Sequence, residues 1–141
     1  MLVLSVSDVK DFMKKLLRDS DFDDFQLKNV VINSFARFEI FGVQKNGYTK
    51  WGLVRPHVFA IVRGSQQPKS IKVILGRDAE AAGVHNALSL FMNIYFQDGK
   101  ITITTGISKK TFSLDKHDDE KWGTLVMKFL DDHGIKFTNE I

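Results

Sequence analysis

The chain has 141 residues, 43% hydrophobic and 26% charged, with a formal net charge of +3. These figures exclude a disordered or fibrous polymer and fit one globular domain over residues 1–141, large enough to bury roughly two thirds of its unfolded surface. Cysteine is absent, which excludes disulfides, thiol chemistry and cysteine metal sites, while the mild positive charge permits an anionic partner without requiring one.

The aromatic content is skewed, with 12 Phe against 2 Trp and 2 Tyr. Phe has no polar handle, so the skew points to packing more than to recognition. No apolar run approaches the ~20 residues that span a bilayer. The expectation is a cytoplasmic protein with no membrane contact. Residues 1–6 are apolar but too short for a signal peptide and lack a basic leader. Leu2 to Val6 is therefore read as an opening strand.

Ser7 is a good helix N-cap, with Asp8 and Asp11 placed where the helix dipole favours acids. Val9, Phe12, Met13, Leu16 and Leu17 then follow the i, i+3, i+4, i+7, i+8 stripe of an amphipathic helix over residues 8–18. Residues 19–24 form an acidic loop with Asp19, Asp21, Asp23 and Asp24. Its aspartates do not meet the calcium-loop pattern: Asp24 stands where glycine belongs and Val30 where the closing glutamate belongs. A solvated turn is expected.

Residues 25–35 read as a strand whose parity slips near Asn29, which predicts a bulge. Residues 36–45 make a second strand, Asn46-Gly47 signals a type I′ turn, and residues 48–53 return. Arg55-Pro56 interrupts pairing. Residues 57–63 are apolar on both parities, so a central strand covered on both faces is expected there. Residues 64–68 form a turn, and residues 70–76 a strand with Ile71, Val73 and Leu75 inward. Ala79 to Ala82 makes a short helical turn that Gly83 ends.

The plainest signal follows. Leu88, Leu90, Met92, Ile94 and Phe96 alternate, Asp98-Gly99 turns the chain, and Ile101 and Ile103 alternate on the return. That is a β-hairpin. Residues 111–114 are read as a third strand after a polar loop. Asp118 is a candidate N-cap for a last helix. Trp122, Leu125, Val126, Phe129 and Leu130 form its stripe and Gly134 closes it. Residues 135–138 add an edge strand. The predicted class is α+β: a mainly antiparallel, meandering sheet flanked by an N-terminal and a C-terminal amphipathic helix.

Several stretches resemble an uncharacterised family of small bacterial proteins known mainly from Firmicutes genomes. They are Val6-Ser-Asp-Val-Lys-Asp-Phe-Met13, Trp51-Gly-Leu-Val-Arg-Pro56, Phe59-Ala-Ile-Val-Arg-Gly64 with Pro68, and Ile71-Lys-Val-Ile-Leu75. Asn93-Ile-Tyr-Phe-Gln-Asp-Gly99, Thr104-Thr-Gly-Ile-Ser108, Phe112-Ser-Leu-Asp115 and Trp122 continue the likeness over nearly the whole chain. The family is a domain of unknown function. The resemblance implies a bacterial, cytoplasmic single domain and supplies no substrate, cofactor or catalytic residue.

Chemistry has few footholds. Thr104, Thr105, Gly106, Ser108, Lys109, Lys110 and Thr111 put hydroxyls, a glycine and two lysines on what reads as a tight loop, a candidate site for a small anion or an enzyme. The Walker pattern is missing, and solvated lysines on a loop are the plainer reading. His117 stands near Asp115, Asp118, Asp119 and Glu120, but at no recognised metal-ligand spacing, so no metal is expected. His57, His85 and His133 complete the histidines. No catalytic elbow is present, and no cofactor is called for. A nucleic-acid reading would need Arg37, Lys72, Tyr95 and Lys100 to share one sheet face, which the sequence does not decide, and ribonucleoprotein aromatic signatures are absent. The favoured reading is a non-enzymatic binding or interaction module, acting through a sheet face or edge on a protein partner or a second copy of itself. A nucleic-acid-contacting domain and the 104–111 anion site or enzyme stand as alternatives.

Overall fold

In the computed structural model, residues 1–64 and 67–140 are described. The order is β1 (Val3–Val6), α1 (Val9–Leu17), β2 (Gln26–Asn33), β3 (Arg37–Phe41), β4 (Val43–Gln44), β5 (Gly47–Tyr48), α2 (Trp51–Arg63), β6 (Ser70–Arg77), β7 (Ser89–Gln97), β8 (Lys100–Ser108), α3 (His117–Asp132) and β9 (Phe137–Asn139). The class is α+β, with a seven-stranded sheet in the order β3-β2-β6-β7-β8-β1-β9 and a separate β4-β5 hairpin. Every pairing in the large sheet is antiparallel.

The β7–β8 hairpin forms as its alternation dictates, except that Leu88 lies before β7 and is exposed. Leu90, Met92, Ile94 and Phe96 are buried with Ile101 and Ile103. Asp98 and Gly99 turn the chain at φ 53° and 72°, the left-handed pair that a type I′ turn needs. In β2 the register shifts between Leu27 and Asn29. Lys28 is the extra residue, and the bulge lets Leu27, Val30 and Ile32 all reach the core.

The helices cover one face. In α1, Asp8 accepts the Asp11 N–H at 3.0 Å, and Phe12, Leu16 and Leu17 are buried. In α3, Trp122, Val126 and Leu130 are buried, and the Trp122 indole N–H donates to the Phe91 carbonyl at 2.9 Å. Gly134 ends it at φ 69°. The Phe skew is spent here: Phe12, Phe22, Phe25 and Phe129 meet ring against ring at 4.9–6.0 Å. Burying each such side chain contributes roughly 1.5–3 kcal/mol.

Several expectations are corrected. Residues 57–63 are not a central strand but the second half of α2, so three helices flank the sheet instead of two. Five consecutive apolar residues, Val58 to Val62, satisfy either period. Trp51, Val54, Val58, Ile61 and Val62 in fact follow a helical stripe whose centre, Trp51 and Val58, is buried. Tertiary contacts settle the choice. The Trp51 indole N–H donates to the Leu16 carbonyl at 3.0 Å. Arg55 grips Asp23 through Nε at 2.8 Å and Nη2 at 3.2 Å. Pro56 sits exposed in the second turn, where its missing N–H forgoes the bond to the Gly52 carbonyl.

The return strand of residues 48–53 shrinks to β5 because α2 begins at Trp51. The strand of residues 36–45 is split at Gly42, which lies so close to the Leu27 carbonyl that a side chain has no room. Residues 111–114 are irregular: Thr111 is bound to Asn86, and the loop around them is tied by Lys109. Asp8 replaces Ser7 as the cap of α1. Lys116 holds the cap position of α3 without a side-chain bond; Asp118 lies inside the helix and accepts the Asn86 N–H at 3.2 Å. The acidic 19–24 loop is not merely solvated: Phe22 is buried, Asp23 holds Arg55, and Asp21 meets His133 Nδ1 at 2.7 Å. The expected 64–68 turn lies partly outside the described residues.

Candidate ligand-contact face

Alternation gives each strand two sets of side chains. One set meets the helices. The other lines a face on which, among the described residues, no helix lies, and the register aligns it in rows. One row runs Arg37, Asn33, Ser70, Gln97, Lys100; the next runs Glu39, Val31, Lys72, Tyr95, Thr102, Ser5, Thr138. A third carries Phe41, Asn29, Ile74, Asn93, Thr104 and Val3. Arg37, Lys72, Tyr95 and Lys100 thus share one face, and Lys72 stands directly across from Tyr95.

The short polar side chains are tied sideways. Asn33 Nδ2 donates to Ser70 Oγ at 3.0 Å, Asn93 Nδ2 to Thr104 Oγ1 at 3.1 Å, and Tyr95 OH to Gln97 Oε1 at 2.8 Å. Arg37 and Glu39 approach only to 3.8 Å across exposed side chains, a separation worth little in water. Lys72 has no bond among those described, and Tyr95 is 39% exposed, so its ring is open to a ligand. At the β2 bulge Lys28 joins the face, donating to Ser89 Oγ at 2.6 Å and lying 4.1 Å over the Tyr48 ring. A shallow polar hollow of about 270 Å³ lies between Asn29, Asn33, Arg37, Glu39, Lys72 and Tyr95. Within the three rows, among the described residues, Glu39 is the one acid.

The other candidate residues are dispersed. Thr104 and Thr105 lie within β8 and not in a loop. Thr104 sits on the open face beside Asn93. Thr105 is buried on the opposite face, where its Oγ1 accepts the Leu2 N–H at 3.0 Å. Ser108 ends β8, and Lys110 is exposed. Lys109 donates to the Ser113 and Asp115 carbonyls at 3.1 and 3.0 Å and pairs with Asp119 at 3.7 Å, so its ammonium staples its own loop. The 104–111 residues therefore do not converge on one point. Nor do three or more His, Asp or Glu side chains, among the described residues, come together as a metal site.

Sequence reasoning missed Asn33, Ser70 and Asn93 as members of the face; their polar parity was visible, but their neighbours depend on strand order. It also missed Arg77, whose guanidinium lies 4.1 Å over the Phe25 ring beside an apolar hollow of about 350 Å³ lined by Trp122 and Phe129. Burial there pushes Arg77 below its usual value, and Asp24 opposes the shift. Among the described residues no helix is long and apolar enough to cross a membrane.

A family model described as "Family of unknown function (DUF5721)" matches residues 15–138. The curated proteins and the solved structures give no match.

Proposed function

For this chain, which belongs to that family of unknown function, we infer a binding module that receives single-stranded nucleic acid across the open face of its sheet. The observation that carries the reading is the shared placement of Arg37, Lys72, Tyr95 and Lys100, with Lys72 and Tyr95 cross-strand neighbours. Cations along a bare sheet attract a phosphate backbone, and an exposed ring stacks on a base whatever its identity. The amides of Asn29, Asn33 and Gln97 add donors and acceptors between them. The face offers Arg37, Lys72, Lys100 and Lys28 against Glu39, while on the helix side the acids of α3 and of the 19–24 loop are mixed with the lysines and arginines of α1, α2 and α3. Nothing in this arrangement poses a nucleophile beside a base, so binding and not turnover is the activity inferred.

Fluorescence anisotropy of a labelled oligouridylate, titrated over a salt series, tests the reading. With about three phosphates neutralised, log K should fall with log salt at a slope of about −2. Tyr95→Ala should weaken binding by about 1–3 kcal/mol, the usual value of one stacked base. Absence of binding at low salt, or binding indifferent to salt, overturns the reading. A protein ligand on the same face would leave the oligonucleotide unbound.

A further inference from the structure

One edge of the sheet carries a pattern that the open face does not account for. β3 is terminal in the strand order and, among the described residues, pairs with β2 alone. The Ser34 N–H donates to the Ala36 carbonyl and the Gly42 N–H to the Lys28 carbonyl. The even-numbered residues between them therefore turn their backbone groups toward β2. In an antiparallel ladder the alternate residues, Arg37, Glu39 and Phe41, aim theirs outward. Such an edge is a template for another strand. It contains no proline, and it is flanked by exposed rings: Phe35 at the hairpin tip is 77% exposed and Phe41 is 65% exposed.

The run Phe35-Ala-Arg-Phe-Glu-Ile-Phe41 is complementary to itself when read antiparallel. With a two-fold axis at Phe38, Arg37 falls opposite Glu39 of a second copy, and Glu39 opposite its Arg37. Outward-facing backbone groups then meet outward-facing ones, as the ladder requires. Phe38, half-buried on the core side, meets its own counterpart across the axis in the closer, non-hydrogen-bonded kind of pair. Phe41 comes to the hairpin tip that carries Phe35 of the other copy. Opposite charges set directly across from each other are favourable, and in any register that puts like charges opposite they are not. Because each copy offers the same patch, the contact closes on itself as a dimer.

We propose that β3 docks antiparallel onto β3 of a second copy of this chain, with the two-fold axis at Phe38, so that the two sheets join into one. The open faces then become continuous, whatever ligand they take.

Light scattering on the full chain, purified free of nucleic acid, reads the result as mass. The wild-type chain should run at twice the mass of one chain. Arg37→Glu and Glu39→Arg should each halve that mass, since each sets like charges across the axis. The double variant Arg37→Glu/Glu39→Arg restores the complementarity and should restore the doubled mass. Far-UV circular dichroism, unchanged in all of them, keeps misfolding apart from dissociation. A wild-type chain at single mass overturns the proposal. So does a single variant that stays doubled, or a double variant that stays single. Nucleic-acid binding is read separately by anisotropy, so the two proposals fail independently.

Discussion

The two faces of this sheet come from the same strands and differ in what covers them. On the helix side Leu27, Val73, Leu75, Leu90, Met92 and Ile103 are fully buried. Their stability comes from apolar area removed from water. On the other side Asn33 with Ser70 and Asn93 with Thr104 satisfy one another sideways, and no buried side-chain polar atom among the described residues lacks a partner. A face that satisfies its own hydrogen bonds can stay bare at little cost. Substitution should therefore hurt folding on the covered face and leave folding nearly untouched on the bare one.

The largest effect should come from the covered face. Trp122→Ala and Phe12→Ala, at residues 2% and 0% exposed, should each cost about 3–5 kcal/mol in chemical denaturation. A loss near zero would mean that the helices do not cover that face. An intermediate effect is expected where the backbone itself is crowded. Gly42→Ala drives a Cβ into the Leu27 carbonyl beside the bulge and should cost about 1–3 kcal/mol, the usual range for overpacking, read as a lower denaturation midpoint at constant slope. The smallest effect belongs to the open face. Lys72→Ala should change stability by less than about 0.5 kcal/mol, as ordinary surface changes do. A loss of 2 kcal/mol there, on the order of a core truncation, would erase the distinction between the faces.

Much of the fold was legible in residue spacing. The β7–β8 hairpin, the stripes of α1 and α3 and the closing strand β9 follow from periods of two or 3.6, and the bulge in β2 from a slip in that period, although the N-cap residues of α1 and α3 were misplaced. α2 was not legible. Val58-Phe-Ala-Ile-Val62 fits both periods, and Arg55-Pro56 reads as a break until Arg55 is seen bound to Asp23 and Trp51 to Leu16. The 111–114 run likewise has strand-like composition, but Thr111 is bound to Asn86 and the Ser113 carbonyl to Lys109. The candidate face was legible only in part. Arg37, Lys72, Tyr95 and Lys100 were recognisable one by one as the residues such a face would need, but not as neighbours. The 104–111 group looked compact in sequence and is scattered in space, because adjacent strand residues point to opposite faces.

Residue order along the chain set which segments pair with near neighbours, which side chains seek the core and where the chain turns, because these depend on forces acting within a few residues. Tertiary structure alone decided that β6 lies between β2 and β7 and that β1 joins the far side of β8. It thereby decided which polar residues share a face and which strands, β3 and β9, form the edges. Those outcomes depend on contacts such as Leu4 with Ile103, whose distance along the chain leaves no trace in local periodicity.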